Sequence, residues 1–366
     1  MKKVLLTTNH LAELKGSEIT ILEHIEYFYK LGYEIYIFTN LYSQRMIEEI
    51  HKITEGNFFI TDNAGYKFNI NDYDVIWIQH QLIPDKILED LSTLNYIKPK
   101  IIFIHMSPYI HIEFPWLYDI ENKIADVCLV ISEEVLEVIN QYNIVLPKIE
   151  IYRNPTNIKW IKCSTQQLVK GNSKKENLNI LIVSNHIPEE VINSVEQLKR
   201  KHNVDIIGDR FWEVRVTPEI LSNYDIIFTI GKTVQYSILM DKIVYCYDHF
   251  GGPGFLTKDN FDKCKWHNFS GRGFNKKNTD EILQEIENVD LTNKTYFFSS
   301  EIKNEFIIDL KLESILKNSQ NMPKITVNPL ITKTEALKSK NLLEMYRGAY
   351  RTYEYYKSLL KTNQKN

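Results

Sequence analysis

The sequence predicts an α/β protein built from two similar, doubly wound, Rossmann-like halves, and three observations predict it. Short β-branched apolar runs alternate with helical patterns from the first residues onward. A second series of the same kind starts after a polar stretch near the middle of the chain. Glycines follow several of the runs, at Gly16, Gly208, Gly231 and Gly251, and the carboxyl ends of strands are where open α/β sheets bind ligands.

In the first half, residues 1–155, strands are expected over Lys3 to Thr8, Glu34 to Thr39, Phe58 to Thr61, Val75 to Gln79, Ile101 to His105 and Val127 to Ser132, closed by Lys148 to Tyr152. Ile101-Ile102-Phe103-Ile104 is apolar throughout, as befits a parallel strand with helices on both faces. Residues 156–178 turn polar, and Lys170 to Asn177 contains no large apolar side chain, which marks a linker. The second half, residues 179–330, repeats the alternation with strands over Ile180 to Ser184, Val204 to Ile207, Ile226 to Ile230 and Ile243 to Tyr247. Its helices run through Val191 and Leu198, through Val234, Ile238 and Leu239, and from Thr279 through Ile282, Leu283 and Ile286. Two such halves facing a cleft would place the ligand there.

Residues 331–366 differ from the rest, with eight Lys or Arg against three Glu and Leu342, Tyr346, Tyr350, Tyr353 and Leu360 at helical spacing. They read as a basic amphipathic helix. Packing across the halves, pairing in a homodimer and peripheral contact with an anionic membrane all suit it, and the sequence does not choose.

The 366 residues, 43% hydrophobic, suffice for two cores. A net charge of -3 argues against general attraction to nucleic acid. Four cysteines, Cys128, Cys163, Cys246 and Cys264, are widely spaced with no Cys-x-x-Cys pair, so neither a zinc site nor a disulfide framework is expected. No secretory leader is read at the amino terminus and no apolar stretch approaches the roughly 18 residues of a span. A cytoplasmic protein with reduced thiols is the expectation, peripheral at the inner face of the cell membrane if the tail binds lipid.

Chemistry-bearing residues concentrate in the second half. Val244 to Phe255 joins an apolar strand to Asp248, His249 and the glycine-dense Gly251-Gly252-Pro253-Gly254, read as a turn whose backbone a phosphate or sugar can approach closely. Upstream, a strand from Asp225 leads through Gly231 to Lys232, Thr233 and Gln235 at a helix start, where unpaired amides and a lysine favour a diphosphate. A Walker P-loop is excluded, because Ile226 stands where its first glycine would be. Asn268 to Phe274 forms a second glycine loop expected to pack beside the first, with Arg272 in reach of a phosphate or simply solvated. In the first half, His105 ends the strongest strand and is expected at the cleft edge, with His80 on the next strand as another candidate. Asp72-Tyr73-Asp74 reads as the entry to the Val75 strand rather than a metal pair, and no metal ligand set is assigned.

These residues together resemble the GT-B glycosyltransferases of the large group 1, or family 4-like, class found in bacterial polysaccharide assembly. Lys3-Val4-Leu5-Leu6-Thr7 followed by Gly16-Ser17-Glu18, Val130-Ile131-Ser132, Arg153-Asn154-Pro155 and the Val244 to Gly254 stretch carry the resemblance over about 330 residues. It implies transfer of a sugar from a nucleotide-diphosphate donor to a glycan, lipid-linked or protein acceptor, with retention and with neither metal nor cofactor. The donor would be bordered by Gly16 and Ser17, bound by Gly231, Lys232, Thr233, Gln235, His249, Gly251, Gly252, Gly254 and Arg272, and served at the reacting sugar by His105 and Asp248. The acceptor would enter near His80 and Tyr109.

The sequence departs from that group twice. The usual pair of glutamates eight positions apart falls on Phe228 and Tyr236, and the usual Arg/Lys pair after the first strand of the second half is replaced by Ser184-Asn185-His186. Two rivals therefore accompany the transferase reading: a nucleotide-sugar epimerase of the same fold, which needs an acid and base pair the sequence does not show, and a non-catalytic scaffold in a glycan-assembly complex.

Overall fold

A computed structural model describes residues 1–91, 99–109, 115–146, 148–164, 177–208, 211–289 and 298–317, with scattered positions between 334 and 356. The chain divides into two compact units. Residues Met1–Val130, Glu137–Glu150 and the described residues from Ile315 on make the first; Ile131–Leu136 and Ile151–Ser314 make the second.

The first unit holds strands β1 (Lys3–Thr8), β2 (Glu34–Thr39), β3 (Phe58–Thr61), β4 (Val75–Gln79), β5 (Lys100–His105), β6 (Val127–Val130) and β7 (Ile149–Ile151) in one sheet, ordered β3-β2-β1-β4-β5-β6-β7. Pairing is parallel from β3 through β6. Connecting helices are α1 (Gly16–Lys30), α2 (Gln44–Thr54), α3 (Asp85–Leu91), α4 (Tyr118–Ile124) and α5 (Glu133–Gln141). The inner strands β1, β4, β5 and β6 are buried almost throughout, Trp77 and Phe103 among the largest side chains, and each such residue contributes about 1.5–3 kcal/mol. This is the near-continuous apolar pattern read in the sequence, now explained by helices on both faces.

The second unit contains β8 (Asn179–Val183), β9 (Asn203–Ile207), β10 (Ile226–Thr229), β11 (Ile243–Asp248) and β12 (Gly251–Phe255), ordered β12-β11-β10-β8-β9. β9, β8, β10 and β11 run parallel, whereas β12 is antiparallel to β11. Its helices are α6 (Lys159–Ser164), α7 (Glu189–Leu198), α8 (Pro218–Ser222), α9 (Lys232–Leu239), α10 (Lys258–Trp266), α11 (Thr279–Glu287), α12 (Ser300–Asn304) and α13 (Ile308–Lys317), the last crossing the division at Ile315. Asn278 and Glu281 cap α11 reciprocally, the Glu281 amide donating to Asn278 Oδ1 at 2.9 Å and the Asn278 amide to Glu281 Oε2 at 2.7 Å.

One device recurs in both units. Asp74, Asp126 and Asp225 each precede a strand, and each accepts a backbone N–H from the neighbouring strand at 2.8 Å, from Lys3, Ile101 and Asn179. Asp74 is thus the strand-entry carboxylate the sequence implied.

Most of the polar stretch between the halves, residues 165–176, lies outside the described residues, as do Leu342, Tyr346, Tyr350 and Leu360 of the basic tail. The described tail positions are helical and exposed, Met345, Tyr353 and Tyr356 included. Among the described residues no helix is long and apolar enough to cross a membrane.

Candidate functional site

Sheet order locates the place to look in each unit. β8 opens the second unit's sheet; the chain moves to β9 on one side of it and then to β10 on the other. Connections leaving neighbouring strands in opposite directions open a crevice beyond their carboxyl ends. That crevice is bordered by Ser184, Asn185 and His186 after β8 and by Gly231 and Lys232 after β10. Asp248 reaches it from β11: its Oδ2 accepts from Ser184 Oγ at 3.1 Å, a bond that spans the intervening end of β10.

Around Asp248 the arrangement is closely determined. The carboxyl is buried, and burial raises its pKa, opposed by hydrogen bonds from the His249 amide at 2.8 Å and from Ser184. His249 Nδ1 lies 3.5 Å from Asp248 Oδ1 without forming a hydrogen bond, and the ring is partly exposed. The His186 ring meets the His249 ring edge-on, centroids 5.7 Å apart. Ser184 Oγ also accepts from the His186 amide at 3.1 Å. Gly208 completes the crevice wall: a Cβ there would stand 1.9 Å from Ser184 O, so only glycine lets β9 exit past β8.

The glycine run is not the open turn expected. The turn consists of His249 and Phe250, and Gly251 to Gly254 belong to the antiparallel strand β12. A Cβ on Gly251 would lie 2.7 Å from Asn275 O, and one on Gly252 2.1 Å from Cys246 O. Gly254 has φ +83 and would crowd the Glu285 carboxylate. The protein's own backbone therefore demands these glycines, whatever ligand they meet. The expected neighbourhood of the two glycine loops is present, since Gly271 packs against Gly251 O, 2.3 Å from where its Cβ would be.

Both cations assigned to the diphosphate have partners inside the unit. Lys232, buried in the first turn of α9, donates from Nζ to Asn154 O at 2.5 Å and Pro155 O at 3.0 Å. Arg272 donates from Nε and Nη2 to Glu134, the closest contact 2.6 Å, and His267 Nδ1 lies 2.9 Å from the same carboxylate. The Arg272 hydrogen bond is the chief influence holding Glu134 below the usual carboxylate range against burial. Thr233 and Gln235 are also buried, with Gln235 Nε2 3.4 Å from Asn268 Oδ1 and its Oε1 lacking a hydrogen-bond partner. Gly231 takes φ +59 and spends its N–H on Phe269 O at 2.8 Å.

Phe228 and Tyr236, at the positions of the missing glutamates, are core residues. Phe228 packs on Tyr245 at 4.6 Å between centroids, and Tyr236 stacks on Trp160 at 3.8 Å.

In the first unit the corresponding crevice lies between β1 and β4. His80 follows β4 with φ +55, a left-handed conformation uncommon for a non-glycine residue. Its Nδ1 accepts the Asn9 N–H at 3.3 Å and lies 3.1 Å from Thr8 Oγ1, so the neutral ring carries its proton on Nε2. Burial, then His10 and His105, push its pKa down to about 3. His10 stacks flat against it at 5.9 Å and sits 3.2 Å from the fully buried Glu18. Gly16 and Ser17 open α1: Thr20 Oγ1 donates to Gly16 O at 2.8 Å, and Ser17 donates from Oγ to Glu18 Oε2 at 2.7 Å while its carbonyl accepts from Gln79 Nε2 at 3.1 Å.

His105 is not at an edge. It is fully buried, its Nε2 2.8 Å from Glu121 Oε1 of α4, a carboxylate that is itself fully buried. The last residue of a central strand is covered here because α4 lies over it, and a carboxylate sixteen residues away carries no local signal. His10, two residues beyond β1, was the residue the sequence could have offered: a polar side chain just past a strand end.

No family model matches the sequence, and no curated protein matches it. Solved structures do. A glycosyltransferase from Rickettsia africae ESF-5 superposes with TM-score 0.52 at 14% identity, over 88% of this chain and 99% of the other. The Anabaena Alr3699/HepE protein in complex with UDP-glucose gives TM-score 0.52 at 14% identity, over 87% of this chain and 99% of that one. The fold is GT-B.

Proposed function

We propose that the protein is a glycosyltransferase that moves a sugar from a nucleotide-diphosphate donor, bound at the crevice of the second unit, to a bacterial surface-glycan acceptor. Capsule, lipopolysaccharide and glycoprotein glycans are the acceptor classes in view, reached near His80 and Tyr109, and the tail would serve a membrane surface or a second copy. What supports this reading is the GT-B fold over nearly the whole chain, together with a polar crevice at the switch point of the second sheet. The HepE structure contains UDP-glucose, and the same donor chemistry is proposed here. A transferase of this type stabilises the departing diphosphate with protein charge and dipoles and proceeds with retention and without metal.

The scaffold reading keeps one observation of its own: apolar packing fills the positions of both glutamates. Thermal denaturation of the full chain with a panel of nucleoside diphosphates and nucleotide sugars separates the two. At a hundredfold excess over Kd a binder adds about 2.7 kcal/mol to stability, so one nucleotide class raises the midpoint selectively, and that nucleotide sugar then releases nucleoside diphosphate on turnover with chelator present. No shift from any nucleotide overturns the transferase.

A further inference from the structure

We infer that the diphosphate is held by the histidine pair His186 and His249 in place of Lys232 and Arg272. This rests on the donor reading above and names the residues that carry it. The pair stands at the switch point, one histidine after β8 and the other after β11, with rings 5.7 Å apart edge-to-face. Asp248 fixes the geometry: it accepts from Ser184 Oγ at 3.1 Å and the His249 amide at 2.8 Å, and Ser184 in turn accepts the His186 amide at 3.1 Å. One buried carboxylate thereby holds both loops.

Its Oδ1 lies 3.5 Å from His249 Nδ1, so the ring's other nitrogen, Nε2, is turned away from the carboxylate. His186 is exposed and His249 partly so, so an anion reaches both without displacing packed side chains. Lys232 could turn to a phosphate only by leaving two backbone carbonyls, and Arg272 only by leaving Glu134. Among the described residues, Arg272, whose guanidinium lies 5.4 Å from the Phe250 ring centroid, and its partner Glu134 are charged groups beside the His249 loop.

The test measures binding of inorganic pyrophosphate and of the nucleoside diphosphate panel by calorimetry, for the wild-type chain and for His186→Gln, His249→Gln and the double variant. Each single change weakens pyrophosphate by about ten- to hundredfold, the worth of a charged hydrogen bond. His186 is exposed, so His186→Gln keeps the unliganded melting midpoint.

Pyrophosphate binding lost in the variants while no nucleotide binds would uphold the histidine site and overturn the nucleotide donor. Nucleotide binding unchanged in the double variant would overturn the histidine site and leave the donor reading intact. If neither ligand binds the wild type, both fall.

Discussion

The two switch points are built from the same residue type and held by different partners. In the first unit His80 is partly buried, its Nδ1 committed to a backbone N–H and its ring laid against His10, which lies beside the buried Glu18. In the second unit His186 is exposed and His249 partly so, with one buried carboxylate tying their loops. Burial penalises charge on a ring and exposure does not. The comparison teaches that position in the topology brings polar groups together, while the partners packed around each ring decide which of its nitrogens remain available to a ligand.

The contrast can be broken most forcefully at Gly208. Gly208→Ala sets a methyl 1.9 Å from Ser184 O at a φ of +153, and strain plus overpacking cost about 3–5 kcal/mol. Urea denaturation is expected to show that loss with nucleotide binding abolished; a variant as stable as wild type would mean that the wall of the second crevice is not rigid.

The first crevice is sharpened by acid. His80 has its pKa lowered from 6.5 to about 3, so between those values the unfolded chain holds a proton that the folded one does not. Its contribution to stability is therefore complete above pH 6.5 and declines as pH falls toward 3, by at most about 1.4 kcal/mol per pH unit. The difference between wild type and His80→Gln, followed by denaturation across that range, carries this slope. A flat difference would show that His80 protonates as readily in the fold as outside it.

The smallest effect is expected at Gln235. Its Oε1 is buried without a hydrogen-bond partner, so Gln235→Leu removes an unsatisfied polar atom and changes stability by about 1 kcal/mol or less, in either direction. Donor affinity measured on the same variant tells whether Gln235 also meets the sugar, since a tenfold loss with stability kept would assign it that role.

Much of this was legible along the chain. Every strand of the parallel series was readable from its β-branched run to within a residue or two, because a strand covered on both faces needs an unbroken apolar sequence. The loop bearing Asp248 and His249 was readable too, from a polar pair directly after such a run. β12 was not, because Gly251-Gly252-Pro253-Gly254 has the composition of a turn and becomes a strand only through pairing with β11. His105 and Lys232 were correctly placed at strand and helix ends, but their partners, Glu121 and the carbonyls of Asn154 and Pro155, are distant in sequence.

By itself, then, the sequence determined the α/β alternation, the strand ends where polar groups gather and the missing glutamates, since each is a local pattern of side-chain period or type. Only the tertiary structure decided which of those groups are covered and which face solvent. Burial and charge pairing arise between residues far apart in the chain, as the partners of His105 and Lys232 show.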